Sequence, residues 1–80
     1  MLHIETLCNL RKNLRFLRRL HNMTQAGAAK VINLSRSAYA AYETGTQLPS
    51  VITLKKIADF NNLKIDDLLS PTLINSMLGK

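Results

Sequence analysis

Cysteine is nearly missing from this chain. Cys8 stands alone, so no intramolecular disulfide and no cysteine cluster can form. A reduced, intracellular setting fits that best. Glycine and proline are also scarce, at three and two residues, while 46% of positions are hydrophobic. That balance excludes global disorder. No apolar run approaches the ~20 residues of a membrane span. The N-terminus has no cationic region followed by an apolar one, so a secretory signal is not expected. Strand signals are almost absent, and there are no internal repeats or low-complexity tracts. His3 and His21 have no partners at ligand spacing, so no metal site and no cofactor is expected.

What is present is positive charge. The 80 residues carry a formal charge of +6. They make one domain, near the lower size limit for folding on a single core. Up to Ala40 there are seven basic residues (Arg11, Lys12, Arg15, Arg18, Arg19, Lys30, Arg36) against one acidic residue, Glu5. The second half is balanced at four of each. One end of the molecule therefore faces an anionic partner: nucleic acid, an anionic membrane or an acidic protein.

Periodicity predicts helices throughout. Leu7, Leu10, Leu14, Leu17 and Leu20 recur at spacings of three and four, with basic residues between them. That helix is expected to end near Asn22, a residue that tolerates the left-handed region. Thr24 can cap a second helix over Gln25 to Ile32, and Ser35 a third over Arg36 to Glu43. Between them lies the corner Asn33-Leu34-Ser35. Gly45 ends the third helix. Ser50, after Pro49, can cap a fourth with Val51, Leu54, Ile57 and Ala58 on one face. Asn61-Asn62 closes it, and Asp66 to Leu69 reads as a short fifth helix. The prediction is an all-α domain of five short helices. Beyond Pro71, Thr72 to Leu78 forms a sixth turn or short helix.

Met23 to Pro49 holds the functional interest. Two short helices at a tight angle leave one helix protruding, and on a basic protein that suggests the DNA major groove. The contact between them must be small, which Ala29 provides, and Gly27 and Ala28 thin the helix further. Ile32, Leu34, Tyr39 and Tyr42 form the anchoring apolar side. Arg36, Ser37, Ala40 and Ala41 point outward. Arg36 can fork the O6 and N7 of a guanine or clamp a phosphate. Ser37 can meet a base or a phosphate. The two alanines touch a thymine methyl or simply permit close approach. The helix N-termini at Thr24-Gln25 and Ser35-Arg36 suit phosphates.

The chain here resembles the Cro/C1-type (Xre-like) helix-turn-helix regulators of bacteria and phages, with the lambda repressor-like fold. The matching residues are Leu14, Arg18, Thr24-Gln25, Ala29, Ser35-Arg36-Ser37, Tyr39, Tyr42-Glu43, Gly45, Pro49 and Ile65-Asp66-Asp67-Leu68-Leu69. They span residues 9–69, leaving 70–80 as a capping or dimerisation tail. The resemblance implies base reading by Gln25, Arg36, Ser37, Ala40 and Ala41. It implies phosphate contacts near Thr24, Ser35, Thr44 and Thr46, and a partly buried ion pair between Arg18 and Glu43. Departures lie at Gly27, Ala28, Asn33, Ala41 and Asn61, where Phe60 is expected to fill the space of a usual core leucine.

The function implied is a cytoplasmic DNA-binding regulator, by default a repressor, acting as a homodimer on a symmetric operator. Leu73, Ile74, Met77 and Leu78 are the candidate dimer residues. A second reading is an antitoxin that binds both operator DNA and a toxin. A third is a protein–protein adaptor, for which the bare Ala40-Ala41 face speaks. No membrane partner and no catalytic constellation is expected.

Overall fold

Asparagine decides where this chain turns. The computed structural model describes residues 4–79; His3 lies outside them. Six helices follow one another: α1 (Ile4–Leu20), α2 (Gln25–Val31), α3 (Arg36–Thr44), α4 (Val51–Phe60), α5 (Ile65–Leu68) and α6 (Leu73–Met77). There is no strand among the described residues. None of these helices is long and apolar enough to cross a membrane. The fold is all-helical, and the segment after Pro71 is a true sixth helix.

Three of the corners are the same device. Asn22, Asn33 and Asn62 stand at φ 56°, 61° and 57°. In each, the asparagine N–H donates three residues back, and the next N–H reaches five residues back. At the central corner Asn33 donates to the Lys30 carbonyl (3.1 Å) and Leu34 to that of Ala29 (2.9 Å). Met23 to Arg18 (3.1 Å) and Leu63 to Ala58 (2.8 Å) repeat the longer bond. This satisfies carbonyls that a helix end would leave orphaned. The residue after each asparagine is apolar (Met23, Leu34, Leu63) and packs on the core. The next starts a new helix. The chain thus repeats asparagine, apolar residue, cap three times, a pattern too short to register as a sequence repeat.

Caps hold the starts. The Thr24, Ser35 and Ser50 hydroxyls accept from the N–H groups of Gly27, Ala38 and Thr53, each at 3.1 Å. The Lys64 N–H donates to the Asp67 carboxylate at 2.9 Å, so α5 begins at Ile65, one residue before the acidic pair.

Leu10, Leu14 and Leu17 of α1 are the centre of the core, with Ala28, Ala29, Ile32, Tyr39, Tyr42, Ile57, Ala58, Leu68 and Leu73 around them. Burying each leucine contributes about 1.5–3 kcal/mol. Three expectations need correction, and the closing of α4 at Asn61 stands. Leu20 is 51% exposed, at the last residue of α1, where the chain turns away through the left-handed corner at Asn22. Val51 is 73% exposed, and Thr53 takes the buried place in the first turn of α4. Phe60 is 41% exposed and leans on the His21 ring (centroids 4.9 Å apart) instead of filling the core. Asn61 turns back to cap its own helix, Nδ2 donating to the Ile57 carbonyl at 2.8 Å.

One buried residue escaped the hydrophobic pattern. Asn13, 3% exposed, lies beside the leucine stripe and donates to the carbonyls of Leu68 (2.8 Å) and Ser70 (2.9 Å). It pins α1 to the end of α5, where carbonyls lack helical partners.

The corner geometry yields a test. Asn33→Ala should lower stability by about 1 kcal/mol, since a Cβ without a local polar group is strained in the left-handed region. Asn33→Gly should cost less. Urea denaturation measures both, and equal losses would exclude the left-handed corner as the cause.

Candidate nucleic-acid interface

The α2–corner–α3 unit is held from behind. Ala28 and Ala29 are buried and let α2 lie close against α3. Tyr39, Tyr42 and Glu43 form the buried side of α3. Arg36 and Ser37 are exposed at its start. Ala40 and Ala41 are only half-buried, not fully outward, so the exposed reading face narrows to the first turn of α3.

The four hydroxyls at this surface are not equivalent. Thr24 and Ser35 use one lone pair each to cap a helix, and their hydroxyl protons stay available to an acceptor. Thr44 and Thr46 donate to the Ala41 carbonyl at 3.2 and 3.4 Å, and their oxygens lie 3.2 Å apart. Phosphate oxygens only accept. Thr24 and Ser35 can meet one directly, whereas Thr44 and Thr46 would first have to give up internal bonds.

The Ala41 carbonyl also accepts from the Gly45 and Thr46 N–H groups, both at 3.0 Å. Gly45 sits at φ 83°, and a Cβ there would stand 2.9 Å from Arg11 Cδ. Glycine is needed both for the backbone angle and for the arginine lying over it.

Behind the interface lies Glu43, 1% exposed. Arg18 approaches it as a fork, Nε to Oε2 at 2.7 Å and Nη2 to Oε1 at 3.1 Å. Gln25 Nε2 donates to Oε1 at 3.1 Å, and Arg15 Nε stands 3.8 Å from the same oxygen. Arg11 and Arg15 also donate to the Glu43 backbone carbonyl, at 3.4 and 3.3 Å. The third nitrogen of Arg18, Nη1, holds the Met23 carbonyl at 3.1 Å.

Burial pushes the Glu43 carboxyl up, but the hydrogen bonds from Arg18 and Gln25, with the charge of Arg18, outweigh it and hold it below the usual carboxylate range. The same pairing raises Arg18 further. Burial, then the neighbouring carboxylate, raises the Tyr39 hydroxyl, which donates to the Leu14 carbonyl at 3.4 Å.

This network sorts the basic residues of the first half. Arg18 is paired with the Glu43 carboxylate, while Arg11 and Arg15 lie half-buried and donate to the Glu43 backbone carbonyl, which leaves their charge in place. Lys12, Arg19, Lys30 and Arg36 are exposed and make no hydrogen bond or ion pair among the described residues. In the sequence Arg11 and Arg15 are simply two of the basic residues between the leucines of the stripe. Their spacing with Arg18 (positions 11, 15 and 18, one side of a helix beside the leucine stripe) was the available sign that they act together. Gln25, expected to face outward, is half-buried with its amide tied to Glu43. In the tail Leu73 is 5% exposed and belongs to the core, while Met77 and Leu78 are exposed.

A helix-turn-helix family model matches residues 14–68 of the chain. An uncharacterized HTH-type transcriptional regulator of Methanocaldococcus jannaschii is 39% identical over 59 residues, 74% of this chain and 89% of that protein. The uncharacterized HTH-type transcriptional regulator YazB of Bacillus subtilis is 35% identical over 60 residues, 75% and 87% of the two chains. The transcriptional repressor RstR of the cryptic phage CTXphi in Vibrio cholerae is 41% identical over 64 residues. That stretch is 80% of this chain and 51% of the repressor. No solved structure matches.

The ion pair has a pH signature. Because Glu43 is held low in the folded state, its contribution is complete above the unfolded carboxylate range, about pH 4.3, and is lost as pH falls through its own lower value. Arg18→Met leaves the buried carboxylate uncompensated and should cost about 3–5 kcal/mol at neutral pH. That gap should narrow on acidification, as the orphaned carboxyl takes up a proton. Chemical denaturation at neutral and acid pH checks this, and a gap independent of pH would rule the pairing out as its source.

Proposed function

This chain belongs to the Cro/C1-type helix-turn-helix family of transcriptional regulators, and from that premise we propose that it is a sequence-specific repressor acting as a homodimer on a two-fold symmetric operator. The observation that carries the reading is the state of the α2–α3 surface. Arg36 and Ser37 are exposed at the start of α3 and unpartnered, and Thr24 and Ser35 keep free hydroxyl protons at two adjacent helix N-termini. The arrangement suits a duplex, with phosphates at the helix starts and base edges under α3.

In this reading Arg36 is the principal base reader, through guanine O6 and N7. Ser37 assists, and Ala40 and Ala41 permit close approach. Lys12, Arg19 and Lys30 are the remaining free cations of the basic half, available for phosphates. Repression follows from occupancy of the operator rather than from catalysis. It is supported by the likeness to RstR, a phage transcriptional repressor. Two copies would place their reading helices about one helical turn, ~34 Å, apart. The dimer contact is assigned to Met77 and Leu78, the exposed apolar residues at the end of α6, with half-buried Ile74 beside them.

Selection of bound sites from random duplex DNA tests the reading, with recovery of an inverted repeat as the expected result. On such a site Arg36→Ala should lower affinity by about 1–3 kcal/mol and relax one base position. An equal loss on every sequence would make Arg36 a phosphate clamp. Binding that ignores salt would end the DNA reading, because phosphate contacts impose a steep salt dependence.

The dimer contact has its own test. Replacing both Met77 and Leu78 by Glu should shift sedimentation toward the monomer while helical circular dichroism is kept. A dimer that survives the double replacement must use another face. Deleting α6 is a poorer experiment, since it also removes Leu73 from the core.

A further inference from the structure

The sequence holds two glutamines, and their surroundings differ sharply. Gln47 is exposed. Gln25, in the first turn of α2, places Nε2 3.1 Å from Oε1 of the buried Glu43. A free glutamine amide can turn over, exchanging its carbonyl oxygen and its nitrogen. Gln25 cannot, as long as Glu43 is ionised. A carboxylate has no proton to give, so only the nitrogen end of the amide can face it. Arg18 keeps that carboxylate in place with its two-pronged contact, and Arg15 stands 3.8 Å from the oxygen that Gln25 meets.

We propose that Glu43 is a positioning residue for DNA recognition, locking the Gln25 amide so that its carbonyl oxygen and second nitrogen-bound proton are presented to the duplex in one fixed order. The inference rests on the reading that the start of α2 meets DNA. It gives the buried ion pair a second role besides stability. The carboxylate that joins α3 to α1 also sets which way an acceptor and a donor point from α2. Preorganisation of this kind contributes to affinity because ordering a long side chain on binding carries an entropic cost. A locked amide has already met that cost in folding.

Two measurements test it. The first uses the unmodified full chain without DNA, following the side-chain amide resonances of both glutamines as pH is lowered through the carboxylate range. The charged and titratable groups around Glu43 are Arg11, Arg15 and Arg18 from α1 and Tyr39 from α3 itself. Glu43 is the one carboxyl group in that set. The Gln25 amide should shift with the titration of Glu43, while the Gln47 amide stays still. Identical behaviour of the two glutamines would overturn the lock.

The second is a binding cycle on the selected duplex at fixed salt, with Gln25→Ala, Glu43→Gln and both together, each checked for helical content. Gln25→Ala should weaken binding about 3–10-fold in the unmodified background, the range of one hydrogen bond. In the Glu43→Gln background it should cost under about two-fold, because the amide there is already free to turn. Equal losses in the two backgrounds would overturn the positioning role. Where Glu43→Gln fails to fold, the titration, which needs no variant, still decides the lock. A chain that binds no duplex at all, yet shows the Gln25 shift, would separate failure of the DNA reading from failure of the lock.

Discussion

A buried carboxylate is the constraint on which the rest depends. Removing Glu43 from water costs several kcal/mol unless its oxygens are met by donors. Here they are met from two other helices, by Arg18 of α1 and Gln25 of α2, while Arg11 and Arg15 cover the backbone carbonyl at the end of α3. Cations at a helix C-terminus also oppose its negative dipole end. The angle between α3 and the body is therefore set by charge as well as by apolar packing. A reading helix must be held stiffly if its first turn is to meet base edges in register.

The same network separates net charge from usable charge. A formal +6 concentrated in the first half points to a polyanion. Of those cations Arg18 turns inward to a carboxylate, Arg11 and Arg15 lie half-buried over the end of α3, and Lys12, Arg19, Lys30 and Arg36 stand exposed. With half-buried alanines on the reading helix, few side chains can bond to bases. In the proposed reading, specificity leans on placement against phosphates and on DNA shape.

Local features were legible from the residues because their partners are close in the chain. The caps at Thr24, Ser35 and Ser50 bond three residues ahead, and the asparagine corners bond three to five residues back. The leucine stripe of α1 was visible for the same reason. Misreadings came where a helix face had to be assigned a depth. Leu20, Val51 and Phe60 sit on or beside apolar faces but reach past their neighbours into solvent. Periodicity identifies a face, not how far the opposing helices extend over it. Asn13 was invisible because its partners, the carbonyls of Leu68 and Ser70, lie 55 and 57 residues away.

The amino-acid sequence by itself determined the helices, the turns between them, the one-sided charge and membership of a helix-turn-helix family. These follow from capping, left-handed asparagines and apolar spacing, all of which act over a few residues. Only the tertiary structure decided which arginines are free, which hydroxyl protons remain available, which way Gln25 points and that Leu73 is core rather than contact. The hydrogen bonds responsible at Glu43 join positions 18 to 32 residues apart. Nothing in local spacing specifies such pairs, because they exist only after packing has brought α1, α2 and α3 around one desolvated charge.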